Sequence, residues 1–376
     1  MIKIAVLAEG ADETRVAISP ETVKKYSNLG CEVSIASGAG VRSSFSDEAF
    51  TDAGAKIVSS GVDAVKDANI VLGVRRPEAD ALAATPKDAL IIAMLDPFGD
   101  KAGLEDIAKS GATAFSMEFM PRITRAQSMD VLSSQSNLAG YKAVIDAAAE
   151  IGSAFPMMMT AAGTVPPAKA FIMGVGVAGL QAIATARRLG AVVTATDVRP
   201  AVKEQVQSLG AKFIAVEDEE FAQAETSGGY AKEMSDGYKK KQAELVAKHI
   251  AAQNIVITTA LIPGRPAPEL ISKAMVETMP AGAVIVDMAV ERGGNCALSK
   301  PGEVVQHNGV TIMGRLNLAG GIAANASALY AKNLLNFLGL IIDKESESLK
   351  VDWEDEIIQG TLIAKDGKLV HSYFES

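Results

Sequence analysis

The stretch KAFIMGVGVAGLQAIATARRLGAVVTATD, residues 169–197, decides the fold class of this chain. An apolar run at 169–173 is typical of a buried strand and leads into the turn GVGVAG at 174–179. The turn opens a helical pattern, and a second apolar run ends at Asp197. A strand, a GxGxxG turn, a helix and a strand ending in an acid, in that order, predict a Rossmann-type dinucleotide-binding unit.

Each glycine of the turn has a physical role in that prediction. Gly174 permits the tight turn, Gly176 lets a pyrophosphate approach the backbone, and Gly179 allows close packing of helix on strand. The N–H groups at the start of the helix, from Val177 onward, offer a positive partial charge to the phosphates. A glycine-rich turn in a fold that binds no nucleotide is the alternative interpretation, and the placement of Asp197 argues against it.

Asp197 predicts which dinucleotide is bound. A carboxylate at this position accepts hydrogen bonds from the adenosine ribose hydroxyls and repels a 2′-phosphate, which favours NAD over NADP. Arg199, two residues on, qualifies this preference because a nearby arginine can accommodate a 2′-phosphate.

Apolar runs alternate with helical patterns along the rest of the chain. This alternation predicts an α/β fold of two doubly wound, Rossmann-like parallel-sheet domains joined by long crossover helices. The expected domains are 1–132 with 315–376, and 133–314. Asp366-Gly367, between two apolar runs, predicts a hairpin near the C-terminus. The expected strands lie at 3–8, 31–37, 55–59, 69–74, 89–95, 112–118, 169–173, 191–196, 212–216, 254–260, 283–289 and 310–314.

Composition excludes several classes of function. The chain has 376 residues and a net charge of −9, so it has no basic surface for nucleic acid or an anionic membrane. Two distant cysteines and three scattered histidines predict neither disulfides nor a metal site, and favour a cytosolic setting. No leader segment or membrane span is expected from the sequence.

Two segments interrupt the alternation of apolar runs and helical patterns. A connection of 37 residues lies between the runs at 212–216 and 254–260, and connections of this length are either functional loops or solvated insertions. The second segment is MPRITRAQSMDVLSSQSNLAGY, 120–141, between a strand end and a long helix. Its polar residues indicate either a ligand-facing loop or a surface loop with a helix cap; they are Arg122, Arg125, Gln127, Asp130, Ser133, Ser134, Gln135 and Asn137.

Several stretches together resemble one protein family. The chain is similar to the NAD(H)-binding component, domain I, of proton-translocating NAD(P) transhydrogenase and, more distantly, to alanine dehydrogenase. The stretches that carry the resemblance are RVAISPE (15–21), MPRITRAQSMDVLSSQSNLAGYKAV (120–144), FPMMMTAAGTVPPAK (155–169), GVGVAGLQAIATARRLGAVVTATDVR (174–199), AETSGGYAKEM (224–234), TTALIPGRPAP (258–268) and AKNLLNFL (331–338).

The resemblance implies roles for matching residues. Those expected around the nicotinamide, with catalytic or binding roles, are Arg122, Gln127, Asp130 and Ser133. Those expected around the rest of the nucleotide, besides the glycines and Val177, are Asp197, Val198, Arg199 and Leu261. The long segment 217–234 matches a mobile loop that closes over the nucleotide, with Gly229 and the catalytic Tyr230 at its tip.

The resemblance also implies a reaction and partners. NADH bound to such a component passes hydride to NADP⁺ on a separate domain III, and a membrane domain II translocates protons. Such components are homodimers, and a form without a membrane span would lie peripherally on the cytoplasmic face of the membrane.

Three stretches depart from the pattern of the wider superfamily, at 5–13, 92–100 and 316–322. All three lie outside the nucleotide-binding motifs.

Two rival functions stay open at this point. An alanine dehydrogenase-type enzyme needs a base, but arginines stand at 75 and 76 where its lysine is expected, and its histidine is missing near Asp96. Arg15 alone could bind only a carboxylate. The other rival is a non-enzymatic NAD sensor.

Two further clusters are expected to be structural. Buried core packing is expected for Met157, Met158 and Met159. A solvated helix face is expected for Lys239, Lys240 and Lys241.

Overall fold

The computed structural model describes residues 1–224, 234–262 and 264–374. The chain divides into two units, one formed by residues 1–135 and 319–376 and the other by residues 136–318. The strands are Ile2–Val6 (β1), Cys31–Ala36 (β2), Lys56–Val58 (β3), Ile70–Leu72 (β4), Leu90–Ala93 (β5), Thr113–Ser116 (β6), Met158–Thr160 (β7), Gly163–Val165 (β8), Lys169–Met173 (β9), Val192–Thr196 (β10), Lys212–Phe213 (β11), Ile255–Thr258 (β12), Val284–Asp287 (β13), Val304–His307 (β14), Val310–Met313 (β15), Ile342–Asp343 (β16), Ser348–Leu349 (β17), Leu362–Lys365 (β18) and Lys368–Leu369 (β19).

Helices connect most of the parallel strands. They are Pro20–Asn28 (α1), Asp47–Asp52 (α2), Gly61–Val65 (α3), Ala79–Ala84 (α4), Lys101–Ser110 (α5), Val131–Glu150 (α6), Val177–Arg188 (α7), Val202–Ser208 (α8), Glu219–Ala222 (α9), Asp236–Ile250 (α10), Lys273–Thr278 (α11), Ala323–Leu338 (α12) and Glu356–Thr361 (α13). Their ends follow from local chemistry: Ser19 caps α1 in a reciprocal pair with Thr22, and Pro20 occupies its first position.

The first unit is a doubly wound sheet. Its eight strands run in the order β19-β18-β6-β5-β4-β1-β2-β3, and the six from β6 to β3 are parallel. The antiparallel β18–β19 pair, turning at Asp366-Gly367, confirms the expected hairpin. Apolar clusters built around Ile4, Ile70 and Tyr330 on one face and Val71, Ile91 and Leu104 on the other cover both sides of the sheet.

The second unit has the dinucleotide-binding strand order. Its sheet runs β11-β10-β9-β12-β13-β15-β14. When the six strands other than the antiparallel β14 are numbered in chain order from β9, they follow the 3-2-1-4-5-6 pattern. Pairs along it are parallel except β14–β15. Both units therefore confirm the predicted α/β class. In such sheets ligands bind beyond the carboxyl ends of the strands.

Two local expectations are wrong, and some strands were not expected, β14 among them. The run at 212–216 pairs only over Lys212–Phe213, and the antiparallel strand β14 was not expected because its Val-Val-Gln-His sequence carries no long apolar run. The three methionines at 157–159 are exposed, with Met159 at 78%, instead of buried. They lie on the two-stranded β7–β8 hairpin, whose residues 156–166 are all exposed.

Candidate nucleotide-binding site

The glycine turn lies at the carboxyl end of β9, which lies between β10 and β12 in the sheet of the second unit. Gly174 has φ +97°, and a Cβ on it would stand 2.6 Å from the Thr259 hydroxyl. A Cβ on Gly179 would collide with the carbonyl oxygen of Gly174. Both positions need glycine for the fold itself, the first for its backbone conformation and the second for helix–strand contact.

Gly176 differs from its two neighbours. Its φ is −79°, and nothing in the described chain lies within 4 Å of a Cβ built on it. The absence of a side chain here leaves open space beside the backbone, which is what the approach of a pyrophosphate requires.

Helix α7 begins at this open position without a side-chain cap. Helices α1, α5 and α10 are capped by Ser19, Asp100 and Ser235. No side chain of the described residues caps the N-terminus of α7, and α12 is uncapped as well. The exposed first residue, Val177, starts a helix of 12 residues. Uncapped N–H groups and the helix dipole suit an anion at this end.

The Asp197 carboxylate accepts four hydrogen bonds from described residues. Its Oδ2 accepts from the N–H of Val175 at 2.7 Å and from the Arg199 guanidinium at 3.0 Å. Its Oδ1 accepts from the Arg199 N–H and from Nε, both at 2.9 Å. The two backbone bonds fix the carboxylate beside the glycine turn, and the other two bonds come from the Arg199 guanidinium.

Apolar side chains are exposed at the same sheet edge. Val198 follows Asp197 and is 48% exposed, while Leu261 follows the end of β12 and is 52% exposed. Thr259 joins this region to the glycine turn, because its hydroxyl donates to the Gly174 carbonyl at 3.0 Å. The second unit thus brings together the glycines, Val177, Asp197 and Arg199, with Val198 and Leu261 at neighbouring strand ends.

The four residues expected around the nicotinamide lie in the first unit. Asp130 caps helix α6: its carboxylate accepts from the Ser133 N–H at 2.9 Å and from the Ser133 hydroxyl at 2.5 Å. Arg122 and Gln127 are exposed, in the segment between β6 and α6. Asp130 and Ser133 are brought together as a cap, and Arg122 and Gln127 present polar groups to solvent.

The remaining polar residues of this segment have structural contacts. Arg125 forms a two-point contact with Asp355 at 2.6 and 2.9 Å. The Ser134 hydroxyl donates to the Asn333 carboxamide at 2.7 Å, and the buried Gln135 accepts from Arg15 at 2.9 Å. In the second unit Asn137 donates to Gln181 at 3.2 Å. Arg122 and Gln127 are therefore candidates for contact with a ligand, whereas these remaining residues stabilise the fold.

A charged cleft of about 410 Å³ lies in the first unit, lined by residues 7–13 and 75–78. It is at the carboxyl ends of the adjacent strands β1 and β4. The Glu9 carboxylate accepts from the Val74 N–H at 2.6 Å and the Arg75 N–H at 3.1 Å. Burial raises the pKa of Glu9 to about 7, although these two hydrogen bonds oppose the rise.

Arg15 is not available to a substrate carboxylate in this cleft. It is buried and its guanidinium donates to Glu13 at 2.6 and 2.8 Å and to Gln135. Arg75 donates to the same Glu13 carboxylate at 3.1 Å.

Gly229 and Tyr230 lie outside the described residues. Of the segment 217–234, the structure shows helix α9 and Asp218, which caps it.

Sequence reasoning missed the pairing of Arg199 with Asp197 and the roles of Thr259, Asp287 and Asn295. A two-residue spacing between opposite charges was the available signal for the first. Thr259 and Asp287 are polar residues near the ends of apolar runs, which was the signal available for them. Asn295 follows Gly293-Gly294 in a loop and carried no such signal.

Sheet order, glycine turn and Asp197 define an α/β protein of the dinucleotide-binding type. The family model for the alanine dehydrogenase/PNT N-terminal domain matches residues 5–139, and that for the alanine dehydrogenase/PNT C-terminal domain matches residues 143–372. The chain is 55% identical to the first portion of the NAD(P) transhydrogenase alpha subunit of Rhodospirillum rubrum, with 98% of each chain covered. It belongs to the alanine dehydrogenase/PNT family and, within it, to the NAD(P) transhydrogenase alpha subunits.

Solved structures agree with this. The structure of transhydrogenase from Sinorhizobium meliloti is similar with a TM-score of 0.90 and 53% identity, covering 98% of this chain and 100% of that one. An L-alanine dehydrogenase shares the fold, with a TM-score of 0.83 and 24% identity over 100% of this chain and 98% of that one. The resemblance inferred from the sequence is confirmed. None of the helices in the described ranges has the length and apolarity to cross a membrane.

Proposed function

We propose that this chain is the NAD(H)-binding catalytic component of a proton-translocating transhydrogenase. Hydride passes from C4 of the NADH nicotinamide to C4 of NADP⁺ held on a partner domain, giving NAD⁺ and NADPH. The observation that carries the proposal is the open, uncapped glycine turn at Gly176 with Asp197 fixed beside it, in a chain that matches a transhydrogenase alpha-subunit component over 98% of its length.

Direct hydride transfer fits the groups that the chain offers. Exchange of hydride between two nicotinamides moves no proton at the reacting carbons, so it needs no general acid or base. The protein has to hold and orient the donor and exclude water. In the proposal Asp197 binds the adenosine ribose and the α7 N-terminus binds the pyrophosphate.

The roles at the nicotinamide end of NADH are those that the family resemblance implies. Gln127 orients the ring, and Arg122, Asp130 and Ser133 fix the nicotinamide and its ribose. The exposure of Arg122 and Gln127 supports this, as does the rigid Asp130–Ser133 cap. Gly229 and Tyr230 are proposed to close over the bound nucleotide.

Partners follow from the same proposal. The Rhodospirillum rubrum relative is named as the first of the portions that make up an alpha subunit, which indicates further subunits there. For this chain we infer a domain III that carries NADP(H), a membrane domain II that translocates protons, and a second copy in a homodimer. The complex places the chain peripherally at the inner face of the cytoplasmic membrane.

Stopped-flow mixing tests the proposal. The purified chain is loaded with NADH and mixed with a separately expressed domain III loaded with an NADP⁺ analogue of shifted absorbance. A rapid burst of hydride transfer is expected, and Gln127→Asn should reduce it at least tenfold. Gln359→Asn, an exposed glutamine of the same unit, should leave the burst unchanged. Tight NADH binding without any transfer would overturn the proposal.

The second candidate is an amino-acid dehydrogenase of the alanine dehydrogenase type. One observation favours it, namely the cleft at β1 and β4 with a carboxyl group whose pKa is about 7, near that of an effective base. Against it, Arg15 is bound to Glu13 and Gln135. Reduction of NAD⁺ by alanine, or oxidation of NADH by pyruvate with ammonia, would support it. Absence of every activity despite NADH binding would leave the sensor hypothesis.

A further inference from the structure

Asp287, at the end of β13, is a fully buried carboxylate that accepts five hydrogen bonds from described residues. Its Oδ1 accepts from the Thr258 hydroxyl and from the Ala289 N–H, both at 3.0 Å. Its Oδ2 accepts from the N–H groups of Asn295 and Cys296 at 2.9 and 3.0 Å, and from the Ser299 hydroxyl at 2.5 Å. A charge this far from water is held in place by its donors, and it fixes the loop that contains Asn295 against the strand ends.

The Asn295 side chain makes three hydrogen bonds to backbone groups of another segment. Its Oδ1 accepts from the Ala260 N–H at 3.0 Å, and its Nδ2 donates to the carbonyls of Ala260 at 2.9 Å and Pro268 at 2.8 Å. Asn295 is itself fully buried. Asn295 therefore binds both the N–H and the carbonyl group of Ala260.

Ala260 lies between two residues of the candidate nucleotide site. Before it, Thr259 donates its hydroxyl to the Gly174 carbonyl and its N–H to the Met173 carbonyl, at 3.0 and 2.8 Å. After it, Leu261 is exposed. Fixing Ala260 thus fixes both the contact with the glycine turn and the direction of Leu261.

We propose that Asn295 is a positioning residue for NADH binding, acting through Thr259 on the glycine turn, with Asp287 as its anchor. This inference rests on the proposed function only for NADH binding, not for hydride transfer. An amide is needed because the position must accept one hydrogen bond and donate two, which a carboxylate cannot do.

The test measures the Kd for NADH by fluorescence titration and, separately, the thermal unfolding midpoint. Asn295→Asp should raise the Kd about tenfold, and Thr259→Val, which removes only the bond to Gly174, about fivefold. The double variant should bind like N295D alone, because N295D already disturbs the Thr259 contact together with the direction of Leu261. Thr259→Ser keeps the hydroxyl and should restore the wild-type Kd. Thr311→Val, which removes the bond from the Gln306 side chain on β14 at 2.8 Å, is the control for lost stability alone and should keep the wild-type Kd.

The outcomes are distinguishable. If N295D and T259V lower the unfolding midpoint but bind NADH as the wild type does, or if their effects on the Kd multiply in the double variant, the positioning role is overturned. A wild-type chain that binds no NADH overturns the proposed function as well. Should N295D yield no folded protein, Asn295→Ser replaces it in the same comparison with T259V and T259S.

Discussion

Asp197 and Arg199 form the residue pair on which the predicted nucleotide preference depends. The guanidinium occupies half of the carboxylate's hydrogen-bonding capacity and also donates to the Val175 carbonyl at 3.2 Å. Ribose hydroxyls can replace the two guanidinium bonds without disturbing the two backbone bonds. Under the proposed function we therefore expect the pair to favour NAD as long as the carboxylate is present.

Asp197→Ser should release Arg199 toward a 2′-phosphate. We expect NADPH to bind at least tenfold more tightly to this variant than to the wild type, while NADH binds more weakly. The double variant D197S/R199A should lose the gain for NADPH, because the cation is gone. Fluorescence titration with both nucleotides measures this. A gain that persists without Arg199 would contradict the explanation.

Glu9 makes the stability of the chain depend on pH. Its pKa is about 7 in the folded chain and near 4.5 in the unfolded chain. Between these values the folded state keeps a proton that the unfolded state has lost, so the free energy of unfolding falls as the pH rises from 4.5 to 7. The contribution is at most one proton, or about 1.4 kcal/mol per pH unit.

Glu9→Gln should remove this part of the pH dependence. Urea unfolding of wild type and variant at pH 5, 6, 7 and 8 measures the slope, with Glu78→Gln in the same cleft as a control for lost charge. Equal slopes in wild type and E9Q would contradict the assignment. Burial also raises the pKa of the Glu118 carboxyl group. Glu118 therefore contributes to the pH dependence of the free energy of unfolding that remains in E9Q.

At the scale of elements, the strand–turn–helix of the second unit contains one glycine that the fold requires and one that it does not. Gly179 is required by the packing of α7 on the carbonyl of Gly174, whereas Gly176 is required by neither packing nor backbone conformation. Under the proposed function, the glycine at 176 leaves room for a pyrophosphate to approach the backbone.

Two alanine variants test this separation. Gly176→Ala should change the free energy of unfolding by less than about 0.5 kcal/mol but raise the Kd for NADH at least tenfold, equivalent to about 1.4 kcal/mol. Gly179→Ala should lower both stability, by about 1–3 kcal/mol, and NADH affinity. Urea unfolding of both variants measures the free energy of unfolding, and titration with NADH measures the Kd. Unchanged NADH binding by G176A would contradict a pyrophosphate at this position.

Elements were more predictable than contacts. The GxGxxG spacing and the distance to Asp197 reflect local chain geometry, so the strand, turn and helix at 169–197 could be predicted from sequence. The sequence could not show which polar residues at 120–141 face a ligand and which have structural contacts. Arg125, for example, pairs with Asp355, which is distant in sequence. Asn295 was missed for the same reason, since its partner Ala260 lies 35 residues away.

At the scale of the whole molecule, the exposed methionines need an explanation. Apolar residues were expected to be buried, but burial depends on what packs against them, and a second chain can supply it. Within the described chain, the β7–β8 hairpin pairs with no other strand, and an isolated two-stranded hairpin is barely stable in water. Exposed apolar surface of this kind marks an interaction site.

We expect a second copy of the chain to cover this hairpin, because a two-fold interface can pair the same apolar segment with itself. Met159→Asp would place a charge against its symmetry mate and should convert the homodimer into a folded monomer. Sedimentation velocity at several concentrations measures the change, and circular dichroism verifies folding. Val304→Asp, another exposed apolar residue, is the matched control and should stay dimeric. A dimer that persists in M159D would exclude the hairpin as the contact, and a monomeric wild type would exclude the homodimer itself.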